Sequence, residues 1–286
     1  MFFASPTTSQ GIPLDSITAW NSLLERAPAA ITKVSAANSS PADEIGVTIN
    51  GAIAMVFQNE FAANHVPLEN GENIITVTAT DSLGNVRSKS ITIFADIDVD
   101  HIWVTSGNES NGLSYTTELE IDGSFNFLSP NLSHTGPGNV EYLETHDNTF
   151  LVRIDWGGIY YFHFEAVDSR NNEYDDTLAV LVHGNAGIDA LLQRRWTSLL
   201  DDMNAGDMNS ALDLVHSEKR RLFEMIFGNM IPKMPDFMAT YQGITLISVH
   251  GDEAEYKIST IENGVRYKYP LYFHKDANGL WKVLSF

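Results

Sequence analysis

The residues best suited by type and spacing to do chemistry lie in the run ADIDVDH, where Asp96, Asp98 and Asp100 recur at every second position. Side chains alternate in direction along an extended strand, so these three carboxylates share one face. Calcium, a hard cation, takes about six to eight oxygen ligands, and turn residues such as Asp81 and Asn85 could complete the set. The competing reading is a like-charged linker that keeps an edge strand from pairing. A second calcium-like run, DDMNAGDMNSALD, carries Asp202, Asn204 and Asp213 but has Asp207 where the loop needs glycine, and it lacks the closing glutamate. Asp207 therefore reads as a helix cap. Asp175-Asp176 and the acids Glu141, Glu144, Asp147 and Asp155 include carboxylates of the kind a glycosidase uses, yet no spacing selects two of them, and a solvated acidic face is the simpler reading. The histidines form no His-x-x-x-His pair on a helix, and there is no Gly-x-Ser-x-Gly elbow or phosphate-cradling glycine loop. No catalytic residue is nominated. The aromatic side chains Trp196, Phe223, Tyr256, Tyr267, Tyr269 and Trp281 could line a pocket for a small apolar or sugar-like ligand, against the alternative that they pack a core. Alternation sends Tyr267 and Tyr269 to one sheet face and Tyr272 to the other.

Positioning such groups takes folded domains, and the composition can supply them. The 286 residues are 43% hydrophobic and only 19% charged, enough to bury cores, and their length suggests two or three domains. A formal charge of -20 repels nucleic acid and anionic membrane surfaces. No apolar run is long enough for a membrane span, and the opening MFFASPTTSQ lacks the basic flank and apolar length of a signal peptide. With no cysteine, disulfides, thiolate metal sites and cysteine nucleophiles are excluded. The charge is uneven. Residues 1–96 hold 9 acidic and 4 basic side chains, residues 97–187 hold 15 and 2, and residues 188–286 hold 13 and 11. Short alternating segments dominate before residue 187 and helical spacing begins at Ile188, so boundaries fall near Asp96 and Gly187.

An internal repeat supports the first boundary. ITVTATDSLGNVRSKSITIF (75–94) and FHFEAVDSRNNEYDDTLAVLV (162–182) align on Ala79/Asp81/Ser82 and Ala166/Asp168/Ser169, each reading as strand, polar turn, strand. Two successive segments of about 90 residues closing on the same hairpin predict two tandem β-sandwiches. In the first, Asn50-Gly51 between alternating runs is a strong hairpin signal. Val47, Ile49, Asn50, Gly51, Ala54, Phe61, Val66-Pro67-Leu68, Gly71, Asn73, Ile75, Val77, Ala79, Asp81, Gly84 and Asn85 resemble the bacterial immunoglobulin-like domain of the glucodextranase B type. In the second, Gly158, Tyr160, Phe162, Phe164, Val167, Asp168, Ser169, Thr177, Val180 and Val182 resemble the last three strands of a polycystic-kidney-disease (PKD) type immunoglobulin-like repeat, although the Trp-Asp-Phe-Gly-Asp-Gly signature is absent. Both resemblances imply spacer or binding modules of exported bacterial proteins.

From Ile188, the positions Ile188, Leu191, Leu192, Trp196, Leu199, Leu200 and Met203 make one helix face. Gly206 stops that helix, Asp207 begins a second that runs through Ala211 to Met230, and Pro232 and Pro235 end the helical part. Four alternating runs follow, joined at Asn263-Gly264 and Asn278-Gly279 among other turns. This order, with Trp196, Gly206, Asp207, Ala211, Leu212, Tyr256, Phe273, Gly279, Trp281 and Val283, resembles the cone-shaped fold of nuclear transport factor two, ketosteroid isomerase and SnoaL-like proteins. The expected architecture is thus multidomain: two all-β immunoglobulin-like sandwiches (1–96 and 97–187) followed by an α+β cone of helices packed on a curved antiparallel sheet (188–286). The expected role is a non-enzymatic, exported or cell-surface bacterial protein whose sandwiches form a stalk or binding surface. Its expected partners are a protein or a cell-surface glycan and its only candidate cofactor is calcium, while the sequence leaves the oligomeric state open. The alternatives are an enzyme or small-molecule binder with its site in the cone, and a carbohydrate-binding accessory module.

Overall fold

The computed structural model describes residues 2–4, 44–58, 60–96 and 99–286. The chain divides into two compact units, Met1–Gly184 and Asn185–Phe286.

The first unit holds two β-sandwiches. The earlier one comprises β1 (Phe2–Ala4), β2 (Ile45–Ile49), β3 (Ala52–Ile53), β4 (Met55–Phe57), β5 (Glu60–Val66), β6 (Gly71–Asp81) and β7 (Val86–Ala95), arranged in sheets ordered β3-β2-β6-β7 and β1-β5-β4. Asn50 and Gly51 both take positive φ (50° and 86°), so Ile49 pairs directly with Ala52 across a two-residue turn. Val47, Ile49, Phe61, Val66, Ile75 and Val77 fill the space between the sheets.

The later sandwich comprises β8 (Ile102–Ser106), β9 (Ser110–Gly112), β10 (Tyr115–Gly123), β11 (Phe127–Thr135), β12 (Val140–His146), β13 (Thr149–Ile154), β14 (Gly158–Asp168) and β15 (Glu173–His183). One sheet runs β12-β13-β10-β8, and β11, β14, β15 and β9 lie side by side in the other. Strict alternation along β10 buries Tyr115, Thr117, Leu119 and Ile121 and exposes Glu118, Glu120 and Asp122. Much of the acidity of this segment therefore stands on solvated strand faces, where it carries no desolvation penalty.

The aligned sequence repeats form equivalent hairpins, β6–β7 and β14–β15, closed by one turn geometry. In the first, Asp81 Oδ1 accepts the amides of Leu83 (2.9 Å) and Asn85 (2.8 Å), and its Oδ2 accepts Asn85 Nδ2 (2.9 Å). In the second, Asp168 Oδ1 accepts the amides of Arg170 (2.7 Å) and Asn172 (2.9 Å), and its Oδ2 accepts Asn172 Nδ2 (2.8 Å). Gly84 and Asn171 supply the positive φ that each bulged turn needs.

The two sandwiches also pack against each other. Met55, Phe57 and Ala62 of the first meet Ile159, Tyr161, Ala179 and Leu181 of the second. The Asn64 side chain imitates a peptide group at the edge of β15: its Nδ2 donates to Ala179 O (2.8 Å) and its Oδ1 accepts Ala179 N (2.9 Å). Tyr161 Oη donates to Glu60 Oε1 (2.7 Å).

The second unit opens with α1 (Asn185–Ala205), α2 (Met208–Asp213), α3 (Arg220–Met230) and α4 (Met234–Thr240), with short 3₁₀ turns before α3 and α4. The antiparallel strands β16 (Tyr241–His250), β17 (Glu253–Glu262), β18 (Val265–Lys275) and β19 (Trp281–Ser285) follow in that spatial order. Helices and sheet share one apolar core. The helical part differs from the sequence reading in two places. The continuous second helix is broken at Leu214–His216, because Leu214 O and His216 N take hydrogen bonds from and to Val283 of β19 (2.9 Å each) and that pairing is incompatible with helical geometry. The prolines do not end the helices either: Pro235 lies in the first turn of α4, where an amide would have no partner in any case. Asp207 caps α2, accepting Ser210 N at 3.1 Å. Among the described residues no helix is long and apolar enough to cross a membrane.

Candidate functional site

The hairpin register separates the acids that the sequence grouped for calcium. Asp81 and the β6–β7 turn lie at one end of the ten-residue strand β7, and Ala95, which leads into Asp96, lies at the other. At about 3.3 Å per residue the two ends are roughly 30 Å apart, far beyond the reach of one ion. Asp81 is also buried, with its oxygens taken by N–H donors. Asp96 and Asp100 are exposed, and Asp98 lies outside the described residues. Among the described residues no three acidic or histidine side chains gather as metal ligands would. Asp175 and Asp176, adjacent in β15, face opposite ways, the first exposed and the second buried.

The copy of the turn that does reach the junction end is the one carrying Asp168. Burial pushes the Tyr174 hydroxyl up, and the fields of Asp168 and Asp100 push it further, so both acids stand near that ring. Tyr174 in turn packs on Phe125, with ring centroids 4.2 Å apart. Next to it the chain forms an open depression of about 380 Å³, lined by Asp122, Gly123, Ser124, Phe125, Asn126, Phe127 and Asn148. Hydrogen bonds hold its walls in place. Ser124 N donates to His101 O and His101 N donates to Ser124 Oγ, both at 3.0 Å, while Asn148 O accepts Ile121 N at 2.9 Å. Ser124 Oγ also reaches Asp100 Oδ1 at 3.5 Å, so the last acid of the junction stands at its border. Asp122, Ser124, Asn126 and Asn148 are exposed, whereas Phe125 and Phe127 are half-buried. Exposed carboxamide, hydroxyl and carboxylate groups in an open depression can hydrogen-bond a polyhydroxylated ligand, with Phe125 and Phe127 adding a small apolar surface. The sequence reading missed this site because its two loops, 122–127 and 148, are distant in the chain. The signal available was the turn-rich run Gly123-Ser124-Phe125-Asn126-Phe127 between two strands.

The six aromatic residues expected around a C-terminal pocket are divided. Trp196, Phe223, Tyr256 and Trp281 are 0–3% exposed in the core, and Phe286 packs on Trp196 and Phe223 with ring centroids 5.2 and 5.3 Å apart. Tyr267 and Tyr269 instead stack on each other at 6.4 Å on an exposed stretch of β18. A polar pair lies within the unit: Tyr256 Oη donates to Asp189 Oδ1 at 3.0 Å, and burial with the neighbouring carboxylate pushes the tyrosine hydroxyl up.

Comparison with known proteins gives one family match: residues 28–97 fit the model for glucodextranase, domain B. No curated protein matches the chain significantly. Among solved structures, PcdhgB3 EC1-4 aligns with 40% of this chain and 32% of its own at 11% identity and a TM-score of 0.23. Protocadherin gamma B7 extracellular cadherin domains 1-4 aligns with 49% and 40% at 11% identity and a TM-score of 0.22. SGBP-B from the Bacteroides ovatus mixed-linkage glucan utilization locus, solved in complex with a mixed-linkage heptasaccharide, aligns with 49% and 37% at 16% identity and a TM-score of 0.18. The chain thus spans 32–40% of the length of these structures.

Proposed function

We propose that this chain is a non-catalytic, saccharide-binding module of an exported bacterial protein, with the ligand seated in the depression bordered by Asp122, Asn126 and Asn148. The observation that carries the reading is the depression itself, lined by exposed carboxamides, a hydroxyl and a carboxylate beside Phe125 and Phe127. The match of residues 28–97 to glucodextranase domain B supports a carbohydrate-related setting. The net charge of -20 favours a neutral over an anionic glycan. A non-catalytic role is supported by the filling of the C-terminal interior with Trp196, Phe223, Trp281 and Phe286. On this reading residues 97–187 are a PKD-like sandwich and residues 188–286 a SnoaL-like cone whose packed interior leaves its outer surface for a partner.

Affinity electrophoresis through dextran, starch, mixed-linkage β-glucan and xylan tests this. Wild-type protein is expected to be retarded in at least one gel. Asn126→Ala/Asn148→Ala removes two hydrogen-bonding groups and is expected to weaken that binding about tenfold at unchanged thermal stability. Unretarded migration in all four gels, or equal retardation of wild type and variant, refutes the reading.

A further inference from the structure

The contact between the two sandwiches contains a cluster of titratable groups. His65 of β5 places Nε2 3.1 Å from Glu109 Oε1, in the turn before β9. Hydrogen bonds tie both segments to the edge of β15: the Asn64 side chain, next to His65, is bonded twice to the Ala179 backbone, and Glu109 O accepts Leu181 N at 2.7 Å. On the same strand Asp176 lies on the other face, with Tyr174, Leu178 and Val180 inside the second sandwich, and accepts Val104 N at 2.9 Å and Thr177 N at 2.6 Å. Its charge is felt at His65 and the His65 charge at Asp176. Other titratable groups around the contact are Glu60, bonded to Tyr161 of β14, Asp175 beside Asp176, His163, which feels Asp175 and bonds Thr177 Oγ1 (3.0 Å), Tyr115, which feels Glu109, and His183, which shares a hydrogen bond with Ser110 Oγ (3.1 Å).

We propose that His65 and Glu109 form a proton-dependent clasp that helps hold the two sandwiches together in mildly acidic solution and loosens as the solution becomes alkaline. Protonated His65 makes a charge-assisted bond to Glu109, and the neutral imidazole makes a weaker one. The hydrogen bond to Glu109, opposed by burial, raises His65. Asp176, raised to about 7 by burial inside its own sandwich, adds to the field at His65. A group raised in the closed state contributes stability that is complete below its ordinary pKa and is lost as the pH rises through the raised one. His65 therefore loosens the joint as the pH rises above its ordinary value of 6.5.

The Ala179 amide, bonded to Asn64 across the contact, reports on the joint. Hydrogen exchange of peptides spanning 173–183, corrected for the intrinsic pH dependence of exchange, measures its opening in the whole chain. In wild type the opening constant is expected to rise severalfold from pH 5.5 to 8, the scale of one partly exposed ion pair. Peptides from β16–β18 should show no such rise. Glu109→Gln, which leaves His65 without a carboxylate partner, is expected to flatten the profile. His65→Gln is expected to open the joint severalfold at pH 5.5 and to stay within about twofold of wild type at pH 8. A wild-type opening constant equal at the two pH values, or a His65→Gln profile parallel to wild type, overturns the proposal.

Discussion

Replacing Asp81 by alanine tests whether this residue is a turn staple or a metal ligand. The substitution removes the acceptors of two backbone amides, Leu83 N and Asn85 N, and of Asn85 Nδ2, at a position only 1% exposed. A hydrogen bond to a charged acceptor contributes about 1.5–3 kcal/mol, but the freed donors lie at a turn tip where water replaces part of the loss, so the expected cost is about 2–4 kcal/mol in all. For a cooperative unit of this size each kcal/mol lowers the melting temperature by about 2–4 °C, which puts the decrease near 10 °C. Asp81→Asn keeps one oxygen for the two amides and should lose about 1 kcal/mol. Calorimetry on wild type and both variants, in 2 mM calcium and in excess chelator, separates the two roles. A turn staple gives the same decrease in both buffers, as the roughly 30 Å between this turn and the acidic junction requires. A decrease that appears only with calcium, or one below about 0.5 kcal/mol, refutes the reasoning.

Asp168 should give the first unit an acid-sensitive step. Burial pushes its carboxyl up, but hydrogen bonds from the amides and side chains of Asn172 and Arg170 outweigh this and hold it at about 2. The unfolded chain binds that proton first, so the contribution is complete above about pH 4 and disappears as the pH falls toward 2. The urea midpoint followed from pH 5 to 2 should fall less steeply in Asp168→Asn than in wild type. In the second unit, Tyr256→Phe leaves Asp189 with Gln193 Nε2 as its remaining side-chain donor, and because Asp189 is half-buried and can recruit water, denaturant unfolding should show a loss of about 1 kcal/mol. Gly158→Ala should be far more damaging: its φ is 151° and a Cβ there collides with Pro137 Cγ, so a loss of about 3 kcal/mol or failure to fold is expected by thermal melting.

How far the chain could be read in advance depended on the range of the interaction concerned. Alternation and turn chemistry are local, so the Asn50-Gly51 and Asn263-Gly264 hairpins, the cap at Asp207 and the shared Asp81 and Asp168 turns were legible from neighbouring residues alone. Glu118, Glu120 and Asp122 could be placed on one face by counting in twos. Counting in twos also put Tyr267 and Tyr269 together, and they are stacked. It could not tell that they lie on an exposed stretch of strand while Tyr256, on the neighbouring one, is completely buried.

Everything that depended on which segments meet waited for the tertiary structure. Asp81 seemed a partner for Asp96 because their hairpin is short in sequence, but an antiparallel pair of strands carries its turn and its exit to opposite ends. The break in the helix at Leu214–His216 answers to Val283, almost 70 residues away. The depression joins Asp122–Phe127 to Asn148, and the clasp joins His65 to Glu109. The sequence by itself determined which residues could turn, alternate or cap, because those preferences act over a few bonds. Only the tertiary structure decided which carboxylates are buried, which rings are covered and how the two sandwiches meet, because burial and electrostatic fields depend on distance through space, and a linear pattern does not encode that distance.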